Sequence, residues 1–203
     1  EILTPDFYDV FNYVEKNMDS CMKSNSMARI KQHYWSNKDR VSERNRLYRI
    51  PESHACEKVA VLATDPIKYT HHLSVHIRRP NCDDTRPNGG EEYTNEYYIR
   101  SLLNIRETYL NRDSKNRIQY HIYSQGTDDK FNDFCNHAVI GEHVMLHLTD
   151  TNEDTYIGMT IADILVTSAS SYSYSAAFLC DGDIYYTDFW HKPCSWWNLL
   201  EKI

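Results

Sequence analysis

Residues 162–179, ADILVTSASSYSYSAAFL, indicate the fold class of this chain more clearly than any other stretch. Residues 163–171 have the pattern of a short apolar strand that ends in small hydroxyl residues, and residues 171–179 have the pattern of a helix. A strand that passes directly into a helix is half of a βαβ unit. Repetition of that unit along a chain produces a parallel sheet covered by helices.

The alternation of strands and helices continues on both sides of this stretch. Further strands are predicted at residues 58–64, 73–80, 117–126, 143–150 and 184–190. Further helices are predicted at residues 93–110, 129–137, 152–162 and 195–203. This alternation predicts an α/β fold, with a Rossmann-like, mostly parallel sheet that has helices on both faces.

The first part of the chain has a different pattern. It predicts a small helical region over residues 1–56, ahead of a Rossmann-like domain over residues 57–203. Apolar residues recur in this region at helical spacing, first as Phe7, Val10, Phe11 and Val14 and then as Met22, Met27, Ile30 and Tyr34. The basic run KDRVSERNRLYRI follows at residues 38–50. It is either the solvated face of a helix or the border of a site for a phosphate or an acceptor.

The composition excludes several classes of protein. The 203 residues carry a formal net charge of −7 and the isoelectric point is about 5.8, whereas nucleic-acid-binding domains usually have a basic face or a high isoelectric point. No apolar run approaches the roughly 18 residues of a membrane span. The N-terminus lacks the apolar segment of a signal peptide. We therefore expect no nucleic-acid partner and no transmembrane segment.

The cysteines and asparagines bear on the compartment. Six cysteines occur without a CxxC pair, which argues against a zinc ribbon or a thioredoxin-type site. The count fits either three disulfides or six reduced thiols. The fifteen asparagines form no N-x-Ser/Thr acceptor site, which favours a cytosol-like compartment. The lumen of the Golgi or the ER stays open as an alternative if a leader or an anchor was removed.

Side chains suited to a diphosphate follow the predicted strands, at the edge where open parallel sheets bind ligands. Arginine side chains and the N–H groups of a helix start bind phosphate, and a carboxylate accepts hydrogen bonds from guanine or ribose. Neither GxxxxGK[ST] nor GxGxxG is present, so a nucleoside diphosphate would be bound without a P-loop. The donor-binding residues that we predict are His76, Arg78, Arg79, Ser124, Asp154, Ser170 and Ser171.

Two motifs resemble the fucosyltransferase superfamily, which includes the α1,2-, α1,6- and protein O-fucosyltransferases. The segment VHIRRPN at residues 75–81 is similar to the HxRRxD motif of that superfamily. The segment ADILVTSASSYSYSAAFL is similar to its later motif, an apolar strand, a hydroxyl-rich tip and a helix. The resemblance covers residues 73–191. It implies a GT-B fold, of which residues 57–203 would be the donor-binding half, and GDP-fucose as the sugar donor.

The resemblance also implies roles for individual residues. Arg78 would contact the β-phosphate of the donor and stabilise the departing diphosphate, which makes it the predicted catalytic residue. His76 would lie along the nucleotide, Ser170 and Ser171 would contact phosphate, and Asp154 would contact guanine. One position departs from the motif, because Asn81 stands where the superfamily has an acidic residue.

The reaction implied by the resemblance is an inverting, metal-independent transfer of a sugar, with fucose favoured, from a GDP-sugar to a hydroxyl of a glycan or protein acceptor in glycan biosynthesis. No cofactor and no metal are expected, because an arginine can replace the divalent ion that other glycosyltransferases use. The acceptor base is left open among the loop acids Asp83, Asp84, Glu91 and Glu92.

Two alternatives stand beside this interpretation. Asp181, Gly182 and Asp183 form a DxD sequence, which metal-dependent GT-A glycosyltransferases use to hold a divalent ion and the donor diphosphate. A non-catalytic module that binds a sugar nucleotide or a glycan is the second alternative, which Asn81 and the short chain favour. The chain has room for one Rossmann-like half of a GT-B enzyme, so we expect a reduced enzyme, a fragment, or a donor domain whose acceptor site comes from elsewhere.

Overall fold

The computed structural model describes residues 16–36, 38–48, 69–79 and 93–200. Six strands in these ranges form one all-parallel sheet in the order β3-β2-β1-β4-β5-β6. This is the strand order of a Rossmann-like sheet, and it confirms the predicted fold class. The strands are β1 His71–His76, β2 Ile118–Tyr123, β3 Val144–His147, β4 Ile164–Val166, β5 Asp183–Thr187 and β6 Asn198–Leu200.

Helices precede the sheet and connect its strands. The longest connecting helix, α4, begins at Asn95, where the Thr94 hydroxyl accepts the N–H of Tyr97 and caps the first turn. Short 3₁₀ turns at Asp128–Phe131 and Gly141–His143 flank the helix before β3. The helices are α1 Met18–Met22, α2 Asn25–Trp35, α3 Arg40–Leu47, α4 Asn95–Arg112, α5 Asn132–Cys135, α6 Asn152–Thr160 and α7 Ser171–Leu179.

Helices cover both faces of the sheet, as the sequence predicted. Side chains alternate between the faces along each strand, and Leu73 of β1 packs with Leu102 of α4 on the first face. On the second face, Leu165 of β4 packs with Met159 of α6 and with Ala176 of α7. Because both faces are covered, every residue of β2 is buried.

The basic run of the N-terminal region forms α3 and attaches to the sheet through ion pairs. The Arg40 guanidinium lies 2.6 Å from the carboxylate of Asp181, and that of Arg44 lies 2.7 Å from the carboxylate of Asp163. These two acids precede β5 and β4, at the amino edge of the sheet. The arginines of α3 therefore pair with acids at the amino edge of the sheet, an arrangement that neither of the two sequence-based interpretations included.

The helix predicted at residues 195–203 is wrong, because residues 198–200 form strand β6. Tyr185 of β5 pairs with Asn198, and Thr187 pairs with Leu200. Without β6, the peptide groups along one side of β5 would lack ladder partners, and satisfying them outweighs the local preference of a short apolar segment. The helix predicted around residues 7–14 and the strand predicted at residues 58–64 lie outside the described residues.

The cysteines are in a mixed oxidation state. Cys135 is disulfide-bonded, whereas Cys21, Cys180 and Cys194 are free thiols. Neither six reduced thiols nor three disulfides therefore describes the chain.

Among the helices within the described ranges, none combines the length and the apolar character that a membrane span requires.

Gly158 of α6 provides a test of how tightly this helix packs on the sheet. A Cβ at this position would stand 2.1 Å from the Oη atom of Tyr123, which is fully buried. We expect Gly158→Ala to lower the free energy of unfolding by about 1–3 kcal/mol, as overpacking does elsewhere, when it is measured by urea denaturation. The control is Glu153→Ala, an exposed position of the same helix, for which we expect a loss below about 1 kcal/mol. Equal losses in the two variants would contradict the proposed clash.

Candidate functional site

A cavity of about 310 Å³ opens at the carboxyl edge of the sheet, where the strand order reverses between β1 and β4. Open α/β sheets bind their ligands at this kind of reversal point, because the connections on either side of it diverge and leave a crevice. Residues that follow four different strands line the cavity. They are His76, Ile77, Arg78, Arg79, Ser124, Gln125, Leu148, Asp150, Asn152, Thr155, Ser170 and Tyr172.

The structure brings together five of the seven predicted donor-binding residues. His76, Arg78, Arg79, Ser124 and Ser170 all line the cavity, although Ser124 and Ser170 are 46 positions apart in the chain. Parallel strands carry their carboxyl ends to one edge, so residues that follow different strands meet there. Arg78 lies two residues after the end of β1, on the wall of the crevice.

The other two predicted residues have partners outside the cavity. Asp154 lies in the first turn of α6, where its carboxylate pairs with the Arg46 guanidinium at 2.7 Å. This ion pair lowers the pKa of Asp154 and holds its carboxylate against α3, away from the cavity lining. Ser171 is exposed, and its hydroxyl lies 3.2 Å from Nε2 of His191.

Arg79 has a structural function in the cavity wall. Its guanidinium donates a hydrogen bond of 3.0 Å to the carbonyl of Tyr93 and a further one to Oδ1 of Asn95. It also lies 6.0 Å from the ring centroid of Phe131. Arg79 therefore fastens the end of β1 to the start of α4.

His76 presents a neutral ring to the site. Its Nδ1 atom lies 2.7 Å from the hydroxyl of Ser168, which belongs to the loop after β4. Burial, and secondarily the positive charge of Arg78, lowers the pKa of His76 to about 4. At neutral pH, this histidine can therefore bind a ligand through hydrogen bonds or packing without adding a charge.

Two helices begin at the cavity, which favours the binding of an anion. The Ser170 hydroxyl caps α7 by accepting the N–H of Tyr172 at 3.3 Å, and the Thr151 hydroxyl caps α6 in the same way. The N–H groups of a first helical turn and the helix dipole carry partial positive charge. Ser170 is buried at the lining itself, so the start of α7 is near enough to contact a ligand.

Asp150 lines the cavity and is the acid that the sequence-based selection missed in favour of Asp154. Its Oδ2 atom accepts a hydrogen bond of 2.8 Å from Nδ1 of His147 at the end of β3. Nε2 of His147 lies 3.0 Å from Nδ1 of His121 on β2. Nε2 of His121 lies 3.1 Å from Nδ1 of His72 on β1. The available signal was the presence of histidines in all three of these strands, but the pattern does not reveal which of them touch.

The DxD sequence lies at the opposite end of the sheet. Asp181 pairs with Lys31 at 2.9 Å and with Arg40 at 2.6 Å, and Asp183 accepts a hydrogen bond from Tyr109. Both acids lie around the start of β5, at the amino edge, whereas the cavity lies at the carboxyl edge. In the part of the chain that the structure describes, no group of three or more His, Cys, Asp or Glu side chains is arranged to hold a metal ion.

Comparisons of this chain with protein-family models, with curated proteins and with solved structures give no match.

Proposed function

We propose that this chain is a glycosyltransferase that binds a GDP-sugar, with GDP-fucose favoured, and transfers the sugar to a hydroxyl of a glycan or protein acceptor with inversion and without a metal. The observation that carries the proposal is the cavity at the reversal point, which brings Arg78, His76 and Ser170 together at the start of a helix. The choice of GDP and of fucose follows from the resemblance of the HIRR and TSASS segments to fucosyltransferase motifs.

A diphosphate fits the charges of this cavity. Arg78 supplies a planar guanidinium that can donate two parallel hydrogen bonds to phosphate oxygens. The starts of α6 and α7 add N–H donors that need no counter-charge. Because His76 is neutral, the positive charge of the cavity is concentrated on the arginines. In this proposal the phosphates would therefore lie beside Arg78 and Ser170.

The same arrangement serves the chemical step. Transfer from a nucleotide sugar builds negative charge on the leaving diphosphate, and a cation already in place stabilises that charge without reorganisation. Arg78 is placed to act in this way. It would supply the charge stabilisation for which other glycosyltransferases use a divalent ion.

An exposed aromatic surface near the same edge is suited to a sugar acceptor. Trp190 follows β5 and is 71% exposed, and its ring stacks on His191 at a centroid distance of 4.0 Å. His191 stacks in turn on Tyr174 of α7, at 4.7 Å. A flat ring held by such a stack offers a face to the apolar side of a sugar, which supports a glycan as the acceptor.

Nucleotide-dependent thermal stabilisation tests the proposal. A ligand at 100 times its Kd adds about 2.7 kcal/mol of stability, which for a domain of this size corresponds to a rise in Tm of roughly 5–10 °C. We expect this rise with GDP, a smaller one with UDP, CDP and ADP, and no effect of EDTA on any of them. A UDP response that requires Mn²⁺ would replace the proposal by the GT-A alternative. No response to any nucleotide would contradict it outright.

A further inference from the structure

Three histidines and one aspartate form a continuous hydrogen-bonded row through the interior of the sheet. Nδ1 of His72 lies 3.1 Å from Nε2 of His121, and Nδ1 of His121 lies 3.0 Å from Nε2 of His147. Nδ1 of His147 lies 2.8 Å from Oδ2 of Asp150. The row crosses β1, β2 and β3 and ends at the cavity, where the carboxyl group of Asp150 is 19% exposed.

The register of the sheet makes this row possible. His121 pairs with Ser74, which is two residues beyond His72, and His147 pairs with Tyr123, which is two residues beyond His121. From one histidine to the next, the row therefore passes to the neighbouring strand and advances two residues towards the carboxyl edge. Because side chains alternate with a period of two, all three rings lie on the same face of the sheet.

The ionised carboxylate sets the protonation of every ring in the row. A carboxylate only accepts hydrogen bonds, so Nδ1 of His147 carries a proton, and the tautomer with a bare Nε2 lets that nitrogen accept. Nδ1 of His121 must then donate to His147, and Nδ1 of His72 must donate to His121. The row is thus a one-directional series of donors, and all of them are oriented towards Asp150.

The surroundings keep the rings of His72 and His121 neutral and hold all three rings in place. Burial, together with the neighbouring histidines, holds the pKa of His121 well below its usual value. Tyr48 stacks on His72 and His121, at centroid distances of 4.4 and 4.0 Å, and Tyr123 stacks on His147 at 4.3 Å. The nitrogens face one another at hydrogen-bond distance, so the rings align a donor row rather than surround an ion.

We propose that Asp150 is the base that takes the proton from the acceptor hydroxyl and that His147 is its positioning residue. This inference rests on the proposed transfer reaction. His147 occupies Oδ2 and leaves Oδ1 as the carboxylate oxygen available to a ligand. A carboxylate that only bound a polar ligand would gain little from a buried donor row, whereas a proton acceptor gains a fixed orientation and a fixed protonation state.

The proton of the acceptor O–H passes to Oδ1 of Asp150, and the electron pair of that bond remains on the acceptor oxygen. This oxygen forms a bond to C1 of the sugar. The bond between C1 and the β-phosphate oxygen breaks, and its electron pair leaves with the diphosphate, beside Arg78. Water in place of the acceptor gives hydrolysis of the donor by the same movements.

The test is the release of GDP from GDP-fucose by the full chain, with water as acceptor, alongside GDP binding by calorimetry. We expect Asp150→Asn to lower kcat by about 10²–10⁴-fold, the usual contribution of a general base, with an unchanged Kd for GDP. The matched control is Glu153→Gln, which removes an exposed carboxylate two residues into α6 that pairs with Lys38 outside the cavity. It is expected to leave both quantities unchanged.

Two variants of His147 separate positioning from a general loss of structure. His147→Phe keeps the stack on Tyr123 but removes the donor to Asp150, whereas His147→Asn keeps an N–H near the Nδ1 position. We expect the phenylalanine variant to lower kcat with little change in KM, and the asparagine variant to recover most of the loss. Equal kcat values for the two variants would overturn the role of His147.

The outcomes also separate this inference from the proposed function. A wild-type protein that does not bind GDP overturns the proposed function. A wild-type protein that binds GDP overturns the role of Asp150 if it releases none from GDP-fucose, or if Asp150→Asn releases GDP as fast. Loss of one contact to the nucleotide would raise the Kd for GDP by about tenfold or more. If Asp150→Asn shows such a rise, Asp150 is a nucleotide-binding residue, and its role as base is overturned.

Discussion

Replacement of Arg78 by alanine is expected to weaken GDP binding at least about 100-fold, because two charge-assisted hydrogen bonds of about 1.5–3 kcal/mol each are lost. Turnover should fall by a further factor of about 10²–10³, since the charge on the leaving diphosphate loses its stabilising cation. The side chain lies at the wall of the cavity rather than in the apolar core, so the variant should remain folded. Calorimetric titration with GDP and a circular dichroism spectrum measure the two expectations.

Two further variants define the origin of the loss. Arg78→Lys keeps the positive charge but not the planar pair of donors, so its affinity for GDP should fall between those of the wild type and Arg78→Ala. Arg100→Ala is the control, because Arg100 is a half-exposed arginine on α4 that pairs with Glu96, one turn earlier. It should bind GDP as the wild type does. Wild-type affinity in Arg78→Ala would contradict the placement of the diphosphate.

The free energy of unfolding is expected to fall steeply as the pH drops from about 6.5 to about 4. Burial lowers the pKa of His72 and of His76 to about 4 and holds that of His121 well below its usual value. In this pH range the unfolded chain binds protons at these positions and the folded chain does not, so stability rises with pH. A pKa difference of this size is worth on the order of 3 kcal/mol for His72 and for His76. Urea unfolding at a series of pH values measures the slope.

Two variants show whether the buried histidines cause this slope, because only one of them removes a titrating residue. His121→Asn keeps one donor and one acceptor near the other rings but cannot gain a proton, so the slope between pH 4 and 6.5 should become shallower. Ser74→Ala removes a buried hydroxyl that donates to the Gly158 carbonyl at 3.0 Å, without removing a titrating group. It should lower the whole curve and leave its slope unchanged. An identical slope in the wild type and His121→Asn would contradict the assignment.

Elements that depend on local signals were predictable from the sequence. The helix predicted at residues 171–179 has the same bounds as α7, and the helix predicted at 93–110 lies within two residues of α4, Asn95–Arg112. Apolar periodicity, a capping hydroxyl and small residues after a strand all act within one or two turns of the chain. The predicted residues of the crevice benefited from the same regularity, because parallel strands place everything that follows them at one edge.

Side-chain direction in the loops was not predictable. Asp150 and Asp154 both follow β3 and are four residues apart, but only Asp150 lines the cavity. Asp154 is held away by Arg46, which lies 108 positions earlier in the chain. The same reasoning applies to residues 198–200, where the free side of β5 favours a strand over the helix that the local pattern predicted. In each case a distant partner outweighed a local preference of less than about 1 kcal/mol per residue.

The sequence by itself determined the alternation of strands and helices, the parallel sheet that follows from it, and the edge at which Arg78, His76 and Ser170 meet. Tertiary structure alone decided the strand order, the partners of the basic helix α3, and the row of His72, His121 and His147 that ends at Asp150. The physical reason is the range over which each property is set. Periodicity and capping act between near neighbours in the chain, whereas the row requires three strands to be adjacent in one register. A shift of one strand by one residue would turn its histidine to the other face of the sheet.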